Sequence, residues 1–417
     1  MKEKPPRDIL LIATLDTKEE VVEYVKGLLE ERGKSVLLLD CSMGKRKGRL
    51  VADITCEEIA QWGGKEYGDV TASDQFQAGR IMIEGVKRAV ASLFAEKKFR
   101  AVFGIGGSNG TLVATAGMRE LPVGVPKVMI SAMACGTAQF GPYVGTKDIM
   151  MVPSVADVLG VNPISKTIFD NAVGALVGML DQAEKACSPA QEQIALSMLG
   201  QTTPAGMAGR EVLEREGYRV VAFHPNGVGG AAMEEFIGQG AFSGVWELTP
   251  HEVADELLSK IHTAGPDRMK QAGLLGIPQV VVPGCIDFFY GTPDMPHGLA
   301  SRYRDRQTYM INSEIILVKI TPEEAVRVAE ALAQKMNQSS GPVALVIPLK
   351  GISRYDRPEY PFHNPDLDGV LFRELKKSLA PGIRVVEIEA HISEPGFGET
   401  CASILLDLMK RWEKGTY

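Results

Sequence analysis

The chain has 417 residues, more than a single hydrophobic core usually holds, so two or three domains are expected. Its net charge of −7 argues against a nucleic-acid backbone or an anionic membrane as the main partner, because both favour basic surfaces. Hydrophobic residues make up 45% and charged residues 23%, as in ordinary globular proteins.

The first half alternates buried strands with amphipathic helices. Residues 9–14 form a continuous apolar run, typical of a strand covered on both faces of a parallel sheet. Apolar residues recur at helical spacing over 21–29, and 35–39 form the next strand, which completes a βαβ unit. After a polar, glycine-bearing stretch over 41–72, the pattern predicts one long helix over 73–97. Further elements are strands at 100–105, 125–131 and 149–152 and a helix over 162–180.

Residues 183–193 are polar and contain a Ser-Pro pair, which indicates a linker. The second half then repeats the pattern, with predicted strands at 194–199, 218–223, 244–248, 279–283, 315–320, 343–348 and 383–389. Strands that alternate with helices imply parallel sheets covered on both faces. The predicted fold class is α/β, with two Rossmann-like domains, residues 1–188 and 193–417, each a mostly parallel sheet with helices on both faces.

Cysteine usage and the N-terminus bear on the cellular compartment. The six cysteines stand at positions 41, 56, 135, 187, 285 and 401, without a C-x-x-C pair. This spacing fits neither a disulfide framework nor a zinc cage and favours a reducing compartment. The opening MKEKPPRD lacks the apolar region of a signal peptide, so none is expected, and no apolar run approaches the roughly 18–20 residues that span a bilayer. We therefore expect a cytoplasmic protein without a membrane partner.

The strongest local motif is FGIGGSNGT at residues 103–111, between a predicted strand and a predicted helix. Ligands of open α/β sheets bind outside the carboxyl ends of strands. Glycines let backbone N–H groups approach a phosphate, and a helix N-terminus adds partial positive charge. The predicted nucleotide contacts in this loop are Gly106, Gly107, Ser108, Asn109, Gly110 and Thr111, with hydroxyl hydrogen bonds from Ser108 and Thr111.

Other interpretations of this loop stay open. It is not a Walker A motif, because no Lys follows the last glycine, and Asn109 replaces the third glycine of a G-x-G-x-x-G fingerprint. A glycine-rich turn without a ligand is one alternative. A serine hydrolase is another, since residues 106–110 match the nucleophile elbow G-x-S-x-G with Ser108 as nucleophile. An acid and a base follow later in the chain, as Asp366 or Asp368 and His391.

The loop after the first strand is predicted to face the same crevice. Thr14, Asp16, Thr17 and Lys18 lie there. Thr17 and Lys18 could bind phosphate, and Asp16 could hold Mg²⁺ through water. The alternative is that Thr17 only caps the following helix and Lys18 is exposed to solvent.

A third loop follows the strand at 125–131. Its small residues permit a close approach of the backbone to a ligand, and the candidate contacts are Cys135, Gly136 and Thr137. Cys135 is either a reactive thiol or, more commonly for such a residue, a small buried side chain. Asp40, at the end of the second strand, is a weaker candidate for contact with a ribose hydroxyl.

The second half offers one comparable loop. His224 begins the segment HPNGVGG after a predicted strand, where an anion or a carbonyl group could bind. His224 is a candidate general acid–base, and the alternative is a hydrogen-bonded structural role. Lys18 is the other candidate catalytic residue.

Several of these segments together resemble an uncharacterised protein family related to the ATP-binding inhibitory region of the tomato mosaic virus resistance protein. The matching residues run from the first strand to the last helix, so the resemblance covers nearly the whole chain. They are IATLDTK at 12–18, GGSNGT at 106–111, SVAD at 154–157, GVN at 160–162, His224 with 227–230, Pro283 and Gly284 with Asp287, and His391 with Ile392.

This resemblance implies two Rossmann-like domains, ATP with magnesium in the N-terminal one, and a homodimer. Carried over to this chain, the loops at 14–18, 106–111 and 135–137 are the nucleotide contacts. The chain departs from the family pattern over 301–310, where SRYRDRQTYM replaces a His-Asn-Pro-like stretch, so a shared substrate of the second domain does not follow. We expect a Mg-ATP-binding protein that acts as a metabolic enzyme on a small acid in the interdomain cleft. The alternative is a non-catalytic nucleotide sensor.

Overall fold

The computed structural model describes residues 6–45, 48–134, 141–183, 192–292, 303, 305–313 and 315–415. The chain divides into two compact units, residues 1–188 and 189–417. Each unit contains a parallel sheet flanked by helices, which confirms the predicted α/β fold class. Among the described helices, none is both long and apolar enough to cross a bilayer.

The first unit is built on a five-stranded sheet. Its strands are β1 (Ile9–Ala13), β2 (Val36–Asp40), β3 (Ala101–Gly106), β4 (Lys127–Ser131) and β5 (Met150–Pro153). All neighbours are parallel, in the order β2-β1-β3-β4-β5. The first four strands are buried along their whole length. Strands covered on both faces show no polar alternation, which is why continuous apolar runs predicted them.

Helices cover both faces of this sheet. They are α1 (Leu15–Glu31), α2 (Cys56–Trp62), α3 (Tyr67–Ala72), α4 (Gln75–Ala95), α5 (Ser108–Arg119), α6 (Gly141–Val144) and α7 (Pro163–Ala183). α1 and α7 pack against one face, whereas α2, α4 and α5 pack against the other, and each set has its own apolar core. The stretch at 41–72, which the sequence analysis describes only as polar, contains the two short helices α2 and α3. Helices of seven and six residues are too short for their apolar spacing to be recognised in the sequence.

The second unit contains a larger parallel sheet. Its strands are β6 (Gln193–Ser197), β7 (Arg219–Phe223), β8 (Gly244–Glu247), β9 (Gln279–Val281), β13 (Val343–Pro348) and β14 (Arg384–Ile388). Their order is β14-β13-β9-β8-β6-β7. A separate antiparallel sheet in the order β10-β12-β11 is formed by β10 (Phe288–Gly291), β11 (Thr308–Met310) and β12 (Ile316–Lys319). The strand predicted at 315–320 was expected in a parallel sheet, and that expectation is wrong.

The helices of the second unit also lie on both faces of its parallel sheet. They are α8 (Thr203–Arg215), α9 (Val228–Gly238), α10 (Glu252–Leu258), α11 (Gln271–Leu275), α12 (Pro322–Asn337), α13 (Pro365–Ser378) and α14 (Pro395–Glu413). α8 and α14 share one apolar core with the sheet. α10, α12 and α13 form another on the opposite face, beside the core that contains α9.

Candidate functional site

A cavity opens at the carboxyl edge of the first sheet, beyond the ends of β1 and β3. α1 follows β1 onto one face of the sheet and α5 follows β3 onto the other, so the two connections diverge here. Open α/β sheets bind ligands at such a point. The cavity has a volume of ≈ 520 Å³ and is lined by Thr14, Asp16, Thr17, Lys18, Met43, Gly44, Val70, Thr71, Ser73, Gln75, Ala78, Gly107, Ser108, Asn109 and Gly110.

One side of the cavity is the N-terminus of α5. The N–H groups of Ser108, Asn109 and Gly110 have no acceptor among the described residues. The first N–H that is bonded within this turn belongs to Thr111 and donates to the carbonyl of Gly107 at 2.9 Å. Open N–H groups at a helix N-terminus carry partial positive charge, so this side of the cavity favours an anion.

Two adjacent glycines have different roles in this turn. A Cβ on Gly106 would lie 2.5 Å from backbone atoms of Gly110 and Thr111, so glycine is required for β3 to enter α5 this closely. Gly107 has φ −80°, which any residue adopts, and a Cβ there would meet nothing within 4 Å. Gly107 lines the cavity, so its missing side chain leaves space for a ligand.

Lys18 faces the cavity from the first turn of α1. Helical side chains tilt toward the helix N-terminus, so a residue at this position reaches back over the start of its own helix. Lys18 is only 9% exposed. Its ammonium group forms no ion pair and no hydrogen bond with any described residue. The alternative that Lys18 is a solvent-exposed residue is therefore wrong, and an anion in the cavity would give its charge a partner.

The first turn of α1 is held by side chains that follow β2. Asp40 accepts from the N–H of Leu15 at 3.2 Å, and the hydroxyl of Ser42 accepts from the N–H of Asp16 at 2.9 Å. Asp40 is fully buried, so its carboxylate serves the protein's own backbone instead of a ribose hydroxyl. Thr14 occupies the N-cap position of α1, and the alternative that Thr17 caps this helix is also wrong.

Asp16 combines a structural contact with exposure to the cavity. Its Oδ2 accepts from the N–H of Gly44 at 2.9 Å, and its Oδ1 accepts from the hydroxyl of Thr17 at 3.3 Å. No group of three or more His, Cys, Asp and Glu side chains within the described part of the chain could hold a metal by itself. Mg²⁺ in phosphate sites usually uses one or two carboxylates, substrate oxygens and water, so a single carboxylate beside a phosphate fits it.

The structure brings most of the predicted nucleotide contacts together. Those that line the cavity are Thr14, Asp16, Thr17, Lys18, Gly107, Ser108, Asn109 and Gly110. Gly106 and Thr111 lie behind the loop. Thr111 is fully buried and its hydroxyl is 2.7 Å from that of Ser131, so it supports the turn. The predicted contacts Cys135, Gly136 and Thr137 lie outside the described residues.

Another part of the cavity lining comes from the connection between β2 and α4 and from the first turn of α4, which sequence reasoning did not link to the site. Its lining residues are Met43, Gly44, Val70, Thr71, Ser73, Gln75 and Ala78. The connection is held in place partly by the hydroxyl of Tyr67, which donates to the carbonyl of Gly44 at 2.8 Å. The signal that could have found α2 is the capping box between Thr55 and Glu58, a T-x-x-E pattern.

The geometry of Ser108 differs from that of a nucleophile elbow. An elbow holds its serine in a strained turn, but Ser108 is not among the residues with a left-handed backbone conformation. In addition, all six histidines of the chain lie at or after position 224, so the first unit contains none to act as a base. Both observations count against a serine hydrolase centred on Ser108.

The glycine-rich loop of the second unit already holds a carboxylate of the protein itself. Glu252 accepts from the N–H groups of Gly227 at 2.6 Å and Gly230 at 3.1 Å. Arg268 balances this charge through a hydrogen bond of 2.6 Å to Glu252. The prediction that an external anion binds this loop is therefore wrong. His224 is exposed at the end of β7, with no side-chain hydrogen bond to the described residues.

Two family models match the chain along most of its length. The N-terminal domain of the uncharacterised protein family UPF0261 matches residues 7–185, and the C-terminal domain of the same family matches residues 191–409. The chain belongs to the UPF0261 family. The resemblance found in the sequence is confirmed, since relatives include both UPF0261 proteins and the tomato resistance protein.

Three relatives illustrate the range of this UPF0261 family. A UPF0261 protein of Clostridium tetani is 34% identical over 97% of this chain and 100% of its own length. One of Rhizobium meliloti is 33% identical over 96% of this chain and 98% of its own. The ToMV resistance protein Tm-1(GCR237) of Solanum lycopersicum is 31% identical over 96% of this chain but only 55% of its own length.

Solved structures are only remotely similar to this UPF0261 protein. A pyrethroid hydrolase has 11% identity over 54% of this chain and 100% of its own, with a TM-score of 0.29. A putative UDP-N-acetylglucosamine 2-epimerase from Listeria monocytogenes has 11% identity over 100% of this chain and 98% of its own, with a TM-score of 0.22. At these scores neither carries an argument about function.

Proposed function

We propose that the first unit binds the phosphate groups of ATP, with Mg²⁺, in the cavity beyond β1 and β3. The observation that carries this proposal is Lys18, a side chain only 9% exposed that lines the same cavity as the N-terminus of α5 and whose ammonium has no partner among the described residues. Backbone N–H groups together with a lysine are a common means of holding phosphate oxygens.

The size and lining of the cavity favour a nucleotide over a free phosphate. Its ≈ 520 Å³ lie within the range of about 300–1,000 Å³ typical of small-molecule sites. The lining also includes Met43, Val70 and Ala78, whose apolar side chains suit a base. Gln75 lines the cavity as well and can hydrogen-bond a base edge.

Magnesium has one suitable protein ligand in this arrangement. Asp16 faces the cavity and retains lone pairs for a metal-bound water, while phosphate oxygens would complete the coordination. The bound ion would neutralise part of the phosphate charge.

Replacing Lys18 with Met is expected to weaken Mg-ATP binding about 10–100-fold, because a hydrogen bond to a charged group contributes about 1.5–3 kcal/mol. The free protein should keep its stability, since the ammonium of Lys18 forms no ion pair or hydrogen bond with the described residues that the substitution would remove. Thermal unfolding with and without millimolar Mg-ATP measures both effects. A nucleotide at 100 times its Kd stabilises the native state by about 2.7 kcal/mol.

Lys26→Met is the matched control. Lys26 lies on the same helix and pairs with Glu30 at 2.6 Å, away from the cavity lining. The Lys26→Met variant should bind Mg-ATP with the same affinity as the unaltered chain. Stabilisation by Mg-ATP that persists in Lys18→Met, or that is missing from the unaltered chain, would contradict the proposed site.

Nucleotide turnover separates an enzyme from a sensor. In the enzyme, Lys18 is the candidate group next to the transferred phosphate, and slow hydrolysis of ATP should disappear in Lys18→Met together with binding. Tight binding without turnover under a broad screen of acids as substrates would assign the cavity to a non-catalytic sensor.

A further inference from the structure

The loop that follows β13 in the second unit carries three cations without carboxylate partners. They are Lys350, Arg354 and Arg357, and none of them forms an ion pair with any described residue. Ion pairs are common elsewhere in this unit, for example between Arg306 and Glu324 at 2.6 Å. Arg354 donates to the hydroxyl of Tyr360 at 3.3 Å, a partner without a full charge. Three cations within eight positions of one loop, none paired with a carboxylate, favour an anion beside it.

The buried carboxylates near this loop are bound to other groups. Asp356 is fully buried, and its Oδ2 accepts from the N–H of Ile352 at 3.0 Å. Asp287 is buried as well, and its Oδ2 lies 3.1 Å from the ammonium of Lys319 and 3.0 Å from the hydroxyl of Ser353. Neither carboxylate pairs with Lys350, Arg354 or the half-buried Arg357.

Arg357 contacts two residues that follow β14. Its Nη2 donates to the hydroxyl of Ser393 and lies 3.5 Å from Nδ1 of His391. The other guanidinium nitrogens, Nε and Nη1, have no acceptor within the described parts of the chain. Arginine binds a carboxylate through two parallel N–H bonds, and Arg357 has the donors left to do so.

His391 positions the hydroxyl group in this cluster. Its Nε2 lies 3.0 Å from the carbonyl oxygen of Ser353, which can only accept, so Nε2 carries the proton. Its Nδ1 therefore accepts from the hydroxyl of Ser393 at 2.8 Å. Burial and the nearby charge of Arg357 lower the pKa of His391, so the imidazole is neutral and Arg357 carries the positive charge of this cluster.

These residues lie at the carboxyl edge of the second sheet. β13 and β14 are parallel neighbours, so the loops that follow them meet. Gln201, which follows β6, reaches the same loop, and its Oε1 accepts from the N–H of Arg354 at 3.1 Å. We propose that Arg357, through its remaining donors Nε and Nη1 and with Arg354 adding positive charge to the same loop, binds a carboxylate group of a small organic acid at this edge.

The test uses the full chain with oxalate, malonate and citrate as carboxylate probes and inorganic phosphate as the competing oxyanion. Calorimetric titration should detect binding of at least one carboxylate probe. Arg357→Gln should weaken that binding about 10–100-fold, because charge-assisted hydrogen bonds are lost. Arg357→Lys keeps the charge but lacks the planar guanidinium group. Its affinity for the carboxylate probe should therefore lie between those of the unaltered chain and Arg357→Gln. Arg327→Gln removes an exposed charge from α12 and should leave the affinity within about twofold.

Each outcome decides the proposal. Absence of binding by every carboxylate probe would overturn it, as would equal affinities for the unaltered chain and Arg357→Gln. Binding of phosphate alone would overturn the assignment of an organic acid. Lys18→Met should retain carboxylate binding, which separates this site from the nucleotide cavity, so failure of one proposal leaves the other measurable.

Discussion

A methyl group added at residue 106 is expected to destabilise the protein, whereas the same group at residue 107 is not. The Cβ of Gly106→Ala would lie 2.5 Å from backbone atoms of Gly110 and Thr111, so the start of α5 must shift. Overpacking of this kind costs about 1–3 kcal/mol and sometimes more. The Cβ of Gly107→Ala meets nothing within 4 Å, so its stability should match that of the unaltered chain.

Gly107→Val extends the comparison from stability to binding. Its φ of −80° suits a branched residue, and the side chain would extend into the cavity, where it would occupy the space proposed for phosphate. We expect a folded protein that Mg-ATP no longer stabilises. Urea unfolding gives the stability of each variant, and thermal unfolding with Mg-ATP gives its binding. Undiminished binding in Gly107→Val would place the nucleotide elsewhere, and a fully stable Gly106→Ala would show that the turn is looser than the structure indicates.

Replacing Arg268 with Met should produce the largest loss of stability. Arg268 is buried and binds Glu247 through two hydrogen bonds of 2.6 and 2.7 Å, Glu252 at 2.6 Å and Glu234 at 3.2 Å. Removing one partner from a buried ion pair costs about 3–5 kcal/mol, because the remaining charge is left uncompensated. Here three carboxylates lose their shared cation.

The loss in Arg268→Met should also depend on pH. Burial raises the pKa of Glu252, and the charge of Arg268 opposes that effect, so removing Arg268 raises the pKa further. A carboxyl group whose pKa is higher in the folded state binds protons more readily there. The stability of the protein therefore falls as the pH rises above the pKa of this group in the unfolded chain, which is about 4.3. The defect should therefore be larger at pH 8 than at pH 5.5.

Urea unfolding at these two pH values measures the effect. Arg210→Met is the control, because Arg210 pairs at the surface with Glu214 at 2.7 Å, and exposed pairs contribute about 0–1 kcal/mol. If Arg268→Met were no less stable than this control, the buried cluster would not hold α9, α10 and β8 together.

The sequence alone was sufficient to predict the fold class and much of the lining of the cavity in the first unit. Strands covered on both faces are continuous apolar runs, so β1 and β3 could be recognised without their partners. The glycine loop and the loop after β1 could be assigned to one site because parallel strands end at the same edge of a sheet. These inferences depend on local pattern and on a general rule of sheet topology.

Contacts between distant segments were beyond local pattern. The burial of Lys18 depends on tertiary packing, and the contribution of Gly44 and Val70 to the cavity lining depends on how the β2–α4 connection folds. The glycine loop at 227–230 has the composition of an anion site, but Glu252, 22 positions beyond Gly230, already occupies it. A short sequence window contains the donors of such a site, whereas its acceptor is identified only when tertiary packing brings the two segments together.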